Sequence, residues 1–483
     1  MAPRKIAIPF SDCITMPLED LSSKVRTSPK IPLAKKLLWG AGGAADNIFY
    51  NGMATLVLPI FNVGLGVDAV KIGLAMGIPR LLDALTDPLI GNISDNTRSR
   101  WGRRRPYVFF GAVVAGTLLA VLFNPIKGLS HEGLFWWFLI VASLFYVAYA
   151  VFVIPYSAMG LEMTSDYNER TRVLAWRPYM GLLVGLGIPW LYKLCFILGN
   201  TEAEGSRTVA VIMGVLAIGL GVLPALFITE NVPQTTSPHM PLLHALKITF
   251  SNSSFLLLSA STLCILLGIF LSSPLGLYVS IYYVFGGDKE LASMLGGWSG
   301  MAAMAAGFAG LPVATWLAKC LGKRHAALAL LLLGLLSVPL TWWMFTPANP
   351  WLQIVPGFIF GLAINGCFLI GVSMLGDVCD ADELNTGHRR EGIYSASLEF
   401  GKKCAIALST IVVGYLLLAV GFDEKAAMQS VQTTTSLRIG YMIVLGVPMI
   451  LAGVFIYFFP ITHQRAMENR RLLDERVAAT PTT

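Results

Sequence analysis

The stretch VKIGLAMGIPRLLDALTDPLIGNISDNTRSRWGRRR, residues 70–105, joins a mainly apolar segment to a short loop that carries five arginines. Apolar runs long enough to cross about 30 Å of hydrocarbon recur along the whole chain. Because a backbone inside a bilayer must satisfy its own hydrogen bonds, each run predicts a membrane-spanning α-helix. The runs start near residues 37, 70, 107, 134, 173, 208, 254, 292, 326, 351, 393 and 438.

Composition supports a membrane-embedded chain. Charged residues make up 13% of the 483 residues, against about 25% in soluble domains, and hydrophobic residues make up 55%. The mean hydropathy is +0.66. We therefore predict an all-α membrane protein with twelve transmembrane helices in two six-helix halves, and the lipid bilayer as its surroundings.

Basic residues collect in alternate loops, which places those loops in the cytoplasm. Both termini are basic too, so both are predicted to be cytoplasmic in a multi-pass protein of the cell (inner) membrane. Gly102-Arg103-Arg104 recurs as Gly322-Lys323-Arg324, which indicates a duplicated unit. The predicted segments are an N-terminal tail (1–36), a six-helix bundle (37–229), a cytoplasmic linker (230–253), a second bundle (254–460) and a C-terminal tail (461–483).

Other function classes are disfavoured by the placement of charged and reactive residues. The net charge of +7 is spread over short loops, unlike the clustered basic surface of a nucleic-acid binder. The seven cysteines never pair as C-x-x-C, and the six histidines are scattered, so no zinc site, disulfide framework or catalytic cluster is predicted. We expect no enzyme activity, no nucleic-acid partner and no organic cofactor.

Three ionisable residues lie inside the second apolar run. Arg80, Asp83 and Asp87 are spaced i, i+3, i+7 and therefore share one stripe of a helix. Ionisable groups inside a span are costly, so each is a functional candidate. Two carboxylates this close either hold a cation between them or share a proton. In the structural alternative, Arg80 neutralises Asp83 while Asp87 caps a kink at Pro88.

Spans 1, 5 and 11 carry further charges. Carboxylates accept hydrogen bonds and arginine or lysine donates them, so these groups are predicted to converge on a hydroxyl-rich small molecule near the midplane. The alternative is a set of internal ion pairs that hold the helices together. The residues are Asp46 beside Asn47, Arg177, and Lys402 and Lys403 one turn after Glu399.

Charged residues also line the predicted cytoplasmic loops. They are expected to form ion pairs across the cytoplasmic face that break and re-form as the halves rock. For individual arginines, a topology signal without a gating role is the alternative. The predicted charge network is Arg80, Asp95, Arg98, Arg103, Arg104, Asp377, Asp380, Glu383, Arg389 and Arg390.

Several motifs form a recognisable set: DALTDP (83–88), NTRSRWGRRRP (96–106), IPYSA (154–158), ERTR (169–172) with AWR (175–177), and REG (390–392) leading to Lys403. This set resembles the glycoside-pentoside-hexuronide:cation symporter family. The resemblance implies the major facilitator fold. It implies cation binding, with Na⁺ as one candidate, by Asp83 and Asp87, with Thr86 in place of a family asparagine. It implies substrate binding at Asp46, with an offset of one residue, at Arg177, and at Lys403, or Lys402 if the register slips by one. Asn47 is a further candidate as the neighbour of Asp46.

The function that the resemblance implies is import of a glycoside, sugar or sugar acid, coupled to Na⁺ or H⁺, by a protein that acts as a monomer. Val153 and Ser157 stand where melibiose permease has an aspartate and a tryptophan, so galactoside specificity is not implied. Asp46 alone against Arg177 and Lys403 favours an anionic substrate, unless Glu399 compensates. A lysolipid transporter of the same fold is the alternative, because such animal relatives are similar in helices 2 and 11.

Overall fold

The computed structural model describes residues 31–164, 166–228, 249–388, 390–424, 426 and 428–479. Within these ranges the chain forms twelve long helices, α1 to α12, and no strand, which confirms the predicted fold class. Some helices continue through short π-helical or 3-10 segments. The bounds are α1 (Leu33–Asn47, continued by Ile48–Gly52, Met53–Val57 and Leu58–Gly64), α2 (Ala69–Asn96), α3 (Arg105–Leu122), α4 (His131–Glu162), α5 (Trp176–Gly185, continued by Ile188–Trp190 and Leu191–Leu198), α6 (Glu202–Phe227), α7 (Ser253–Val279, continued by Ser280–Val284), α8 (Lys289–Leu321), α9 (Lys323–Met344), α10 (Ile354–Thr386), α11 (Glu391–Ala419) and α12 (Val431–Tyr457).

Two further helices lie outside the spans. Tyr167–Leu174 precedes α5, and His463–Ala479 follows α12 within the predicted C-terminal tail. In this last helix Leu473 is buried and Arg470 lies 3.8 Å from Asp380 of α10. The predicted N-terminal tail up to residue 30, and the predicted linker from 230 to 248, lie outside the described residues.

Ten of the twelve described helices are long and apolar enough to cross a membrane. The other two are α1 and α2. Two wide π-helical turns, Ile48–Gly52 and Leu58–Gly64, interrupt α1, and such turns are frequent at functional sites. α2 carries several charged residues along its length. The two helices that depart from a plain apolar span therefore carry predicted site residues.

The helices pack as two groups, α1 to α6 and α7 to α12, and the most extensive contact between the groups joins α2 to α11. Glycines allow this contact. A Cβ added at Gly73 of α2 would lie 2.7 Å from the Thr410 carbonyl oxygen, and one at Gly414 of α11 would lie 2.5 Å from that of Ala69. Small residues let the two backbones approach closely, which brings the aspartates of α2 within reach of α11.

Both ends of the described chain lie at the same end of the bundle, here called the terminal face, because the number of spans is even. At the opposite face the two halves are bonded to each other. Tyr278 of α7 donates a hydrogen bond to Asn62 of α1, and both side chains are buried. Lys289 Nζ lies 2.6 Å from Glu202 Oε1, again joining the two halves. The halves therefore meet at the opposite face.

The orientation in the membrane stays a prediction, and cysteine labelling tests it. Cysteines placed at Ser99 and His388, which are exposed at the terminal face, should react with an impermeant reagent only from the cytoplasmic side. Lys127→Cys, exposed at the opposite face, is the control and should react from outside. A chain freed of its native cysteines gives a clean background. Labelling of Ser99→Cys from outside intact cells would reverse the orientation.

Candidate functional site

A cavity of about 790 Å³ lies between the two halves. Its lining comes from α1, α2, α4, α5, α7 and α11. It therefore brings together side chains that are more than 300 residues apart in sequence. The polar and aromatic lining residues are Asp46, Asn47, Tyr50, Asn51, Asp83, Asp87, Tyr149, Ser157, Arg177, Phe270, Glu399, Lys402 and Lys403.

One cluster joins α1, α4 and α5. Arg177 donates to Asp46 Oδ2 over 2.9 Å and to Ser157 Oγ over 2.7 Å. The Tyr149 hydroxyl donates to the other Asp46 oxygen over 2.6 Å. Gly43 makes the pairing feasible, since a Cβ there would lie 2.9 Å from the Arg177 Cα. The cluster presents an oriented acceptor and donor side by side in the cavity wall.

A second cluster joins α2 and α11. Lys403 Nζ lies 2.7 Å from Asp83 Oδ2 and also bonds Asp87 Oδ2. The Oδ1 atoms of both aspartates are buried and have no hydrogen-bond partner within the described structure. Two carboxylates one helical turn apart thus bind a single ammonium group through their Oδ2 atoms, and their Oδ1 atoms remain as possible ligands for an ion.

The charge of α11 is compensated differently from the sequence-based expectation. Glu399, expected to compensate Lys403, instead bonds Lys402 over 2.7 Å. Both lysines line the cavity, and it is Lys403 that reaches the aspartates. Each cation in the described lining therefore has a carboxylate partner. The predicted excess of positive charge in the cavity was wrong, because Asp83 and Asp87 of α2 also contact Lys403 of α11.

Arg80 lies behind the cavity wall and is 4% exposed. Its Nε donates to the Tyr146 hydroxyl over 2.6 Å, and its guanidinium carbon lies 5.1 Å from the centre of the Tyr50 ring. No ion pair joins it to Asp83 in the described part of the chain, so direct neutralisation of that aspartate is not observed. Aromatic faces stabilise the guanidinium instead. Arg80 therefore lies apart from the ion pairs at the terminal face, although the predicted charge network included it.

Two predicted site residues, Asn47 and Thr86, lie outside the two charged clusters. Asn47 lines the cavity, and its Oδ1 is buried without a partner in the described structure. Thr86 donates its hydroxyl to the Asp83 carbonyl oxygen over 3.1 Å and is not part of the described lining. A cation-binding role for Thr86 stays a prediction that would require its hydroxyl to turn.

The predicted charge network forms pairs at the terminal face. Arg103 and Arg104 each lie 2.7 Å from Glu162, and Arg104 also contacts Asp95. In the second half the pairs are Asp377 with Lys323, Asp382 with Arg390, and Asp380 with Arg470. These pairs join helices within one half, whereas the expected pairs join the two halves. Arg98 is exposed, Glu383 lies in the last turns of α10, and Arg389 lies outside the described residues.

Sequence reasoning missed the aromatic and hydroxyl part of the site. Tyr146 and Tyr149 lie on α4 at spacings of two turns and one turn from Val153, and Tyr50 lies one turn after Asp46. The available signal was helical spacing, from the charged Asp46 for Tyr50 and from the Val153 position of the family comparison for the two α4 tyrosines. It was weak, because aromatic residues inside apolar spans are usually packing residues.

The twelve long helices of the described residues, packed in two groups around a charge-paired cavity, have the architecture of the major facilitator fold. A family model described as MFS/sugar transport protein matches residues 38–463, and the chain belongs to this family. The resemblance noted in the sequence is thereby confirmed.

Relatives and solved structures agree with this assignment. The chain is 26% identical to an uncharacterized symporter, sll1374, of Synechocystis, over 94% of this chain and 99% of the relative. It is also 26% identical to the isoprimeverose transporter of Lactiplantibacillus pentosus, over 89% of both chains. A solved structure of the nucleoside transporter NupG, carrying one substitution, is similar in fold, with a TM-score of 0.65 and 14% identity, covering 88% of this chain and 100% of that one.

Proposed function

We propose that this protein is a symporter that imports a neutral glycoside or sugar together with Na⁺ or H⁺ by alternating access. The observation that carries the proposal is the Lys403 ammonium bonded to both Asp83 and Asp87. A carboxylate pair that holds one monovalent cation inside a membrane protein is suited to a coupling ion. The second cluster, Asp46 with Arg177, lines the same cavity.

In this proposal the coupling ion binds the two aspartates beside Lys403, through the Oδ1 atoms that have no partner in the described structure. Na⁺ prefers oxygen ligands, and a proton would neutralise one carboxylate directly. Asp83, Asp87 and Lys403 together carry one net negative charge, so the addition of either ion makes the site neutral. A neutral site costs less free energy to enclose between the two halves than a charged one. Ion binding therefore favours the change between the inward-facing and outward-facing states.

The substrate would bind between the two clusters. Asp46 accepts and Arg177 donates hydrogen bonds, and Asn47 adds an oxygen without a described partner. Tyr50 and Phe270 supply flat apolar surface. The cavity volume of about 790 Å³ falls within the ~300–1,000 Å³ usual for small-molecule sites. With the terminal face in the cytoplasm, as predicted, a contact between the halves at the opposite face corresponds to the inward-facing state of the cycle.

Charge pairing favours a neutral substrate. Each lining cation, Arg177, Lys402 or Lys403, already bonds a carboxylate of the protein. An anionic substrate would have to compete with these internal partners, and a carboxylate displaced from its cation inside the membrane is costly. Uncharged hydroxyl groups of a substrate can hydrogen-bond to these lining side chains without breaking an ion pair of the protein.

Matched ligands test this preference. A neutral hexoside should bind at least about 10-fold more tightly than its uronide, a difference of about 1.4 kcal/mol, because the uronate adds an unpaired negative charge. Binding is measured by titration calorimetry on purified protein. Glu399→Gln provides the matched control. It frees the Lys402 ammonium and should narrow the difference in affinity between the hexoside and the uronide. Equal or tighter binding of the uronide by the wild type would contradict the neutral assignment.

Uptake into vesicles tests the function as a whole. Proteoliposomes are given Na⁺ or H⁺ gradients separately and screened against neutral glycosides, uronides and lysolipids. Accumulation of a neutral glycoside that depends on one of the two gradients is the expected result. Movement of lysolipid without sugar uptake would favour the lysolipid alternative and overturn the proposal.

A further inference from the structure

A groove runs along the outer surface of the second half, between α9 and α12, away from the central cavity. Its volume is about 340 Å³, and the side chains that line it are apolar or aromatic, including Leu328, Leu335, Met449 and Tyr457. Leu332 and Phe458 at its edges are 58% and 64% exposed. In a membrane-spanning protein this exposed groove faces the lipid.

A glycine makes the groove concave. A Cβ added at Gly453 of α12 would have no atom within 4 Å, although Gly453 lines the groove. A side chain at this position would therefore fill the groove without striking the protein. The depth of the groove at this point therefore depends on the absence of a side chain at Gly453.

One end of the groove is marked by a positive charge. Arg324, in the first turn of α9 at the terminal face, donates to the Tyr457 carbonyl, and its guanidinium carbon lies 5.5 Å from the centre of the Tyr457 ring. The Arg324 Nε is buried and has no hydrogen-bond partner within the described residues. The neighbouring Lys323 is already paired with Asp377 at 2.6 Å. Arg324 thus places at this end of the groove a positive charge that has no carboxylate partner among the described residues.

Arg105 of the first half makes a contact like that of Arg324 and gives an internal comparison, although Arg104 is the residue that aligns with Arg324 in the repeated motif. Arg105 begins α3 and donates from Nε to the Ala225 carbonyl over 2.5 Å and from a terminal nitrogen to that of Leu226 over 2.8 Å. Both arginines therefore bond carbonyls at the end of the last helix of their half. In Arg105 the Nε is used in that contact, whereas the Nε of Arg324 is not.

We propose that the α9–α12 groove binds an anionic phospholipid of the leaflet at the terminal face. One acyl chain lies in the apolar recess, and the phosphate bonds Arg324, since guanidinium groups bind phosphate with charge-assisted hydrogen bonds. From Arg324 to Leu335 the helix rises about 16 Å, close to the ~15 Å depth of one leaflet. Basic pockets between transmembrane helices recognise anionic headgroups in this way.

Lipid retention measured by native mass spectrometry tests the site. Purified full-length protein is equilibrated with phosphatidylglycerol or phosphatidylcholine of identical acyl chains. The wild type should retain phosphatidylglycerol preferentially, because the choline group of phosphatidylcholine offsets the charge of its phosphate. Arg324→Gln should reduce phosphatidylglycerol retention about 10-fold and phosphatidylcholine retention by less than about threefold. Gly453→Leu should reduce the retention of both lipids. Arg324→Lys should keep part of the preference, because the charge remains.

Arg105→Gln is the matched control, because it removes the same charge from the same face of the other half. It should leave phosphatidylglycerol retention unchanged. Equal loss in Arg105→Gln and Arg324→Gln would show that only overall surface charge matters, and the proposal would be wrong. Unchanged retention in Arg324→Gln would overturn it as well. Neither result depends on transport activity, so the groove and the proposed function can fail separately.

Discussion

Asp83→Asn and Asp87→Asn should each abolish accumulation of substrate against its gradient while leaving substrate exchange intact. The two carboxylates hold the Lys403 ammonium in the described state, and in our proposal they bind the coupling ion beside it. With one carboxylate removed, the remaining one stays paired with Lys403, so the ion gains little by binding. Coupling free energies of about 1–3 kcal/mol correspond to a ~5–150-fold loss of accumulation.

The measurement is uptake by proteoliposomes with an imposed Na⁺ or H⁺ gradient, compared with counterflow of labelled substrate without a gradient. Asp95→Asn is the control. It removes an aspartate from the same helix, but Asp95 pairs with Arg104 at the terminal face and lies outside the cavity. If Asp83→Asn or Asp87→Asn concentrated substrate with unchanged ion dependence, the assignment of the ion site to α2 would be wrong.

Asp46→Asn and Arg177→Gln should each weaken substrate binding by about 10- to 100-fold, or about 1.4–2.8 kcal/mol. The two side chains are 20% and 34% exposed and hold each other in place at 2.9 Å. Removing either leaves its partner without a counter-charge and free to turn away from the substrate. Binding is measured on purified protein, and the double variant should lose less than the sum of the two single losses.

Glu399→Gln serves as the control for this second prediction, with the same neutral ligand. Its pair with Lys402 also lines the cavity, but the Glu399 side chain is 67% exposed. Exposed ion pairs contribute little, so a change of less than about threefold is expected. Wild-type affinity in both Asp46→Asn and Arg177→Gln would show that this pair only holds α1 against α5.

The number of spans and the candidate charges could be predicted from the sequence, because both depend on local properties. A run of apolar residues can be recognised one segment at a time, and a charge such as Asp83 or Arg177 is conspicuous inside it. The spacing of Asp83 and Asp87 also placed them on one face of a helix without reference to any other helix.

The pairing of these charges could not be predicted in this way, because it depends on how the helices pack. Lys403 meets Asp83 across 320 residues of chain because glycines on α2 and α11 let these helices touch, while its near neighbour Glu399 bonds Lys402 instead. Arg80, three residues from Asp83, lies among aromatic rings. Partner choice depends on helix packing and side-chain direction, which spacing along one chain does not contain, and the pairing in turn sets the net charge that a substrate meets.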